Sequence, residues 1–349
     1  MYNILFNGQQ TLLVLLSAFV IGGVFKRYGL FIPVFTMLSN KVKSKRIGLL
    51  CISIVSGMLP VEGRVSVSAP ILDSLVRAPK DSCCAGEARG KMGVVDYIAT
   101  HHYYLWSPLE KSVILLMAGL GLTYAQLLSY TALPLLAYLL FMLFIVFNYV
   151  KEEDIELVKN QRKYTVLEVL QIVPFFAGLI ISIFISPWMV FPFVAMYYVA
   201  TNRVSAREVF SFIKWDTLIL VAAIIVLANS IKLYSDDIMS FLKLHTPNGT
   251  PSLTTVTVAV LGGGLASLLL GSSSKYAGIC VSLTLLLGIE YFPIIFMTEY
   301  AAYLLSPVHK CAAISASYFN TRAKDFYKYV GCLSLLMVAS GLLLVVILK

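Results

Sequence analysis

The sequence predicts an all-α membrane protein made of two inverted-topology repeats, each with a re-entrant helical hairpin and a broken transmembrane helix. Three observations lead there. Hydrophobic residues make up 59% of the 349 residues and charged residues 13%, with a mean hydropathy of +0.84; a soluble domain would carry about twice that charge. The apolar segments of the second half follow the order of the first in the opposite direction. Finally, "WSPLEK" (Trp106–Lys111) and "LSPVHK" (Leu305–Lys310) each put a proline and a lysine in the middle of a long apolar segment, where a crossing helix avoids both.

The elements follow in order. "MYNILFNGQQTLLVLLSAFVIGGVF" lacks a basic leader region and a small-residue cleavage site, so 3–25 reads as a retained first helix. The stretch 47–77 holds two apolar runs around "PVEGR", each of about a dozen residues where a crossing needs roughly 20; a re-entrant hairpin is expected. A broken helix over 94–122 and a crossing over 124–150 complete the first repeat, 1–150. Residues 151–216 supply a charged linker ("KEEDIELVKNQRK") and an extra helical hairpin, 165–186 with the marginal 187–202. The second repeat, 217–349, runs from a crossing at 217–231 through a re-entrant hairpin at 251–289, broken by "GSSSK", to a broken helix at 291–319 and a crossing at 329–348. For 251–289 the alternative is two tilted crossings.

Charge sets the orientation. The formal charge of +9 could suit nucleic acid, but the basic residues lie in short loops between apolar runs, as topology signals do. With both termini outside, 20 Lys and Arg fall in cytoplasmic connections and 3 outside. A multi-pass protein of the inner (plasma) membrane is expected, with the lipid bilayer and no nucleic acid as partner. The remaining four basic residues, Arg64, Lys111, Lys275 and Lys310, fall inside apolar regions. Cys51, Cys280, Cys311 and Cys332 read as small core residues. Cys83–Cys84 lies in a polar loop with no further ligand at zinc-site spacing, so neither metal nor cofactor is expected.

Pro108 and Pro307 interrupt their helices. Serine followed by proline also starts helices well, and "SPLE" matches a capping box with Glu110 at its fourth position. Ser107 and Ser306 are therefore expected to cap new helix N-termini, with Lys111 and Lys310 about one turn beyond. Two further N-termini are expected in the hairpins, one in "VSVSAP" with Ser66 and Ser68, the other at Ser272, Ser273 and Ser274. Helix N-termini favour anions, and basic side chains join all four, so one central anion site is expected. The structural alternative pairs Arg64 and Lys275 with Glu62, Asp73 or Glu290 and lets the two lysines snorkel. Of the histidines, His101 and His102 face different ways on a helix, so at most one reaches a cavity; His309 is the better proton candidate.

"SGMLPVEGRVSVSAPILD" and, much later, "SPVHKCAAISASYF" resemble the paired signatures of an uncharacterised membrane family, domain-of-unknown-function family 401, of the ion transporter superfamily. The resemblance implies re-entrant hairpins that meet near the midplane and a homodimer working by an elevator motion. It also implies that the tips at Glu62–Ser68, including Gly63, and at Gly271–Lys275 line the site. Sodium-binding carboxylate carriers of that superfamily have Ser-Asn-Thr at both tips. Neither tip here contains asparagine, which points to protons, with Glu62 and His309 as coupling candidates. Lys310 stands where an apolar residue is expected. The expected function is a secondary active transporter of a small anion, working by alternating access and driven by protons. The alternatives are an anion channel, a flippase for an anionic lipid-linked substrate, or an enzyme using Ser66 or Ser68 with Lys111.

Overall fold

Within hydrocarbon every backbone N–H and C=O must find its partner in its own segment, and this chain meets that requirement almost wholly with helix. The computed structural model describes residues 2–60, 64–77, 85–158, 164–234 and 251–348, with 237 and 240. Helix α1 (Tyr2–Tyr28) ends in Lys26 and Arg27, where cations suit the helix dipole. Next comes α2 (Ile32–Lys41), which the sequence reading does not anticipate; its 10 residues are too few for a crossing. The segment 47–77 forms α3 (Lys45–Gly57) and α4 (Arg64–Leu75). Then follow α5 (Ala85–His101), a 3-10 turn at His102–Leu105, α6 (Lys111–Leu120) and α7 (Tyr124–Tyr149). Short helices α8 (Val166–Leu170), α9 (Val173–Ile181) and α10 (Pro187–Thr201) follow the linker. Helices α11 (Ala206–Phe212) and α12 (Trp215–Leu233) are bent by 57°. Last come α13 (Leu253–Leu270), α14 (Ser273–Leu287), α15 (Phe292–Leu305), α16 (Lys310–Tyr318) and α17 (Ala323–Leu348).

Among the described residues, four helical segments are long and apolar enough to cross a membrane: Gly8–Tyr28, α7, α13 and α17. A fifth is added if the bent α11–α12 pair counts as one span. Large apolar side chains such as Leu140, Phe184, Leu335 and Val346 point out of the fold, a surface that suits lipid chains. The chain is an all-helical membrane protein. Among the described residues its strand content is a two-residue antiparallel ladder, β1 (Val76–Arg77) with β2 (Glu156–Leu157), Val76 standing opposite Leu157.

Both apolar regions with polar breaks fold as paired helices, and both Ser-Pro segments are interrupted. The first interrupted segment starts earlier than 94, at Ala85, because the charged stretch before it is helical too. Lys91 there binds Asp154 at 3.0 Å and Glu87 at 3.3 Å. The same linker holds the start of α3: Ser44 Oγ donates to Glu152 Oε1 at 2.6 Å, and the Lys45 N–H donates to Oε2 at 3.0 Å.

Packing follows an exchange. Helix α3 lies on α5 and α13 on α15, each within its own half. The second arms cross over: α4 packs on α16 and α14 packs on α6. Helix α17 then covers α15 and α7.

Candidate functional site

The two Ser-Pro segments fold as the same turn. The Glu110 N–H donates to the Ser107 carbonyl at 3.0 Å, and the His309 N–H donates to the Ser306 carbonyl at 3.1 Å. Proline is second in each turn, where its fixed φ fits. A helix starts directly afterwards, with Ile114 N–H bonded to the Glu110 carbonyl and Ala313 N–H to the His309 carbonyl. This corrects the capping expectation. Glu110 and His309, not the serines, occupy the N-cap positions, and Lys111 and Lys310 are the first helical residues. Ser107 Oγ accepts the Leu109 N–H inside its turn, and Ser306 Oγ donates to the Leu268 carbonyl at 2.6 Å. A serine that starts a turn has spent its carbonyl there, which leaves the residue three positions on to cap the helix.

One cavity of about 610 Å³ gathers the ends of four helices. Arg64, Lys111, Ser273 and Lys310, the first residues of α4, α6, α14 and α16, all line it, as do Ser272 and Lys275. Lys26 and Lys214 complete a set of six basic side chains, against which Glu110 is the one lining carboxylate among the described residues. Lys275 and Lys310 are exposed, and among the described residues neither lies within ion-pair distance of a carboxylate. Gly271, at φ +54°, makes the turn between α13 and α14; a Cβ there would stand 2.9 Å from Ser306 Oγ and 3.0 Å from His309 N. The second hairpin tip therefore rests directly on the second break.

Arg64 takes a partner that the sequence reading does not name for it. Its guanidinium forms a buried ion pair with Glu110, donates from Nε to the Leu59 carbonyl at 2.9 Å and lies over the rings of Tyr103 (4.1 Å) and Tyr104 (5.0 Å). Asp73 instead pairs with Arg89 at 3.2 Å. Glu110 thus links the tip of one hairpin to the break in α5–α6.

The other expected residues divide. Glu62 and Gly63 lie outside the described residues, as does the side chain of Ser66. Ser274 is buried and not among the lining residues. Ser68 bonds instead to Asp96 Oδ2 at 2.8 Å. His309 lines the cavity. Its Nδ1 lies 3.1 Å from Tyr97 Oη, and its Nε2 lies 3.5 Å from Nε2 of His101. His102 turns away, with Nδ1 donating to the Ala99 carbonyl at 2.8 Å. His101, His309 and Cys311 have donor atoms within 4.8 Å of one another, a set with metal-ligand chemistry that the sequence reading does not foresee. Sequence reading also misses two buried carboxylates, Asp96 on α5 and Glu299 on α15.

An all-helical membrane protein with a strongly basic cavity is the class these features define. The family model of the protein of unknown function DUF401 matches residues 3–348, and the chain belongs to that family. No curated protein matches the chain.

Proposed function

We propose that this protein is a secondary active transporter of a small anion, working by alternating access. The observation that carries the reading is the meeting of four helix N-termini and six basic side chains on one cavity. Backbone N–H groups and helix dipoles favour an anion there, and weak screening inside the protein strengthens the attraction. Half-helices aimed at a shared midplane site are a recurrent transporter device.

Two features support an inverted repeat with re-entrant hairpins. First, the packing exchange pairs α3–α5 with α13–α15 and α4–α16 with α14–α6, as a two-fold relation between the halves requires. Second, both ends of the first hairpin reach one short segment, Ser44 through Glu152 and Val76 through Leu157. A hairpin held that way enters and leaves on one side. Its arms, of 13 and 12 residues, are about 20 Å long, short of the roughly 30 Å of a bilayer core.

The cavity lining includes Lys26 and Lys214, both on the side the charge count assigns to the cytoplasm. We read the conformation as inward-facing, with both termini outside, in a plasma-membrane homodimer driven by protons. Ser68 is engaged with Asp96 and is not a lining residue, which favours transport over a Ser68–Lys111 enzyme.

The test is uptake into proteoliposomes of radiolabelled phosphate, sulfate and small carboxylates. Saturable uptake with counterflow of at least one anion is expected. Uptake that follows potential without counterflow would make the protein a channel, and no uptake of any anion would reject the reading.

A further inference from the structure

Among the described residues, two buried carboxylates have no cationic partner. Asp96, on α5, and Glu299, on α15, are both fully buried. Each binds a serine of the hairpin packed on its helix: Asp96 Oδ2 accepts from Ser68 of α4, and Glu299 Oε2 lies 3.5 Å from Ser267 of α13. The second oxygen of each, Asp96 Oδ1 and Glu299 Oε1, has no hydrogen-bond partner. Among the described residues no Lys, Arg or His approaches either within ion-pair distance.

An ionised carboxylate in such a place is not tolerated; it takes up a cation or a proton. The surroundings select between them. A sodium site needs several oxygen ligands around the ion, whereas Asp96 has the hydroxyls of Ser68 and Ser53 beside it and Glu299 that of Ser267, and each carboxylate keeps an open oxygen, which suits O–H. The groups facing them from neighbouring helices are neutral: Ser53 of α3, Ser68 of α4 and Cys311 of α16 for Asp96; Ser267 of α13 and Cys280 of α14 for Glu299.

We propose that Asp96 and Glu299 are a pair of proton-binding sites, one in each half of the chain, and that they carry the protons coupled to transport. The coupling role rests on the transporter reading above; the proton binding does not. Each site lies between a broken helix and the hairpin packed on it. A movement that parts the two wets the carboxyl and releases its proton, which links protonation to conformation.

The experiment is infrared difference spectroscopy of the full chain in lipid nanodiscs, titrated in sodium-free buffer. The wild type should show the C=O stretch of protonated carboxylic acid at neutral pH. Asp96→Asn and Glu299→Gln should each remove one component and the double variant both. Ser68→Ala and Ser267→Ala keep the carboxyls, so these variants should shift the matching component without deleting it, a readout that does not depend on the charge-removing variants folding. Spectra identical in wild type and variants, or a band that sodium abolishes at constant pH, would overturn the proposal. The band is read whether or not any anion is transported, so failure of the transporter reading leaves this result standing.

Discussion

Glu110 and His309 stand at the same position in two copies of one turn, each three residues after a serine whose carbonyl its N–H binds, and each directly ahead of a lysine that opens a helix. Their side chains have diverged. Glu110 neutralises Arg64, while His309 packs against Tyr303 with ring centroids 4.1 Å apart. The backbone frame is common to both halves and the chemistry is not.

The lysines that follow should be the anion ligands. Lys111→Gln and Lys310→Gln are each expected to weaken binding by roughly 1–3 kcal/mol, about ten- to hundredfold, with the fold intact. Titration of the anion that best protects the wild type against heat measures this. Normal affinity in both variants would reduce the lysines to structural groups.

Glu110→Gln leaves the Arg64 guanidinium buried and unpaired, and should cost about 3–5 kcal/mol of stability. Combining it with Arg64→Met removes both charges and should restore part of that loss. Thermal unfolding of the wild type, the two single variants and the double variant gives the coupling; additive losses would show the pair to be inert.

Gly271→Ala should strain the second hairpin tip. The left-handed backbone alone costs about 1–2 kcal/mol with a Cβ, and the added methyl meets Ser306 and His309. A lower melting temperature and weaker anion binding are expected together, whereas Gly262→Ala, with open space around its Cβ position, should change neither.

Acid should loosen the tie between Glu152 and the start of α3. Burial pushes the Glu152 carboxyl up, but hydrogen bonds from Ser44 and Lys45, with Arg46, outweigh it and hold the group below its ordinary value. A lowered folded-state value gives stability that is complete above the ordinary glutamate value and lost as pH falls through the lowered one. The wild type should therefore lose more stability than Glu152→Gln between neutral pH and about pH 3. Parallel melting curves for the two would show that the tie contributes nothing.

Impermeant maleimide applied to intact cells should spare Cys83 and Cys84 and modify a cysteine placed at Asn248. The opposite pattern would invert the orientation drawn from the charge count.

The sequence made the helical segments and both breaks legible, because apolar length and Ser-Pro are local signals. Lys111, Lys275, Lys310 and the Ser272–Ser273 tip, grouped together from the sequence, all line the one cavity described above. What the sequence hid was pairing at a distance. Arg64 meets a partner 46 residues away, and Asp96 and Glu299 meet their serines across 28 and 32 residues. A single acid in an apolar run gives no local sign of which neighbour it will face. Helix α2 and the β1–β2 ladder escaped for another reason: both are shorter than the window in which periodicity shows.

The crossover packing also has a meaning in time. Tyr97 and His309, which meet across the halves, are separated by 212 residues of chain. At roughly 5–20 residues per second, synthesis leaves an interval of about 10 to 40 seconds between them. Throughout it, helix α4 and the first break lack the helices that will cover them. The first half therefore holds the faces of α4 and α6 open until α16 and α14 are made.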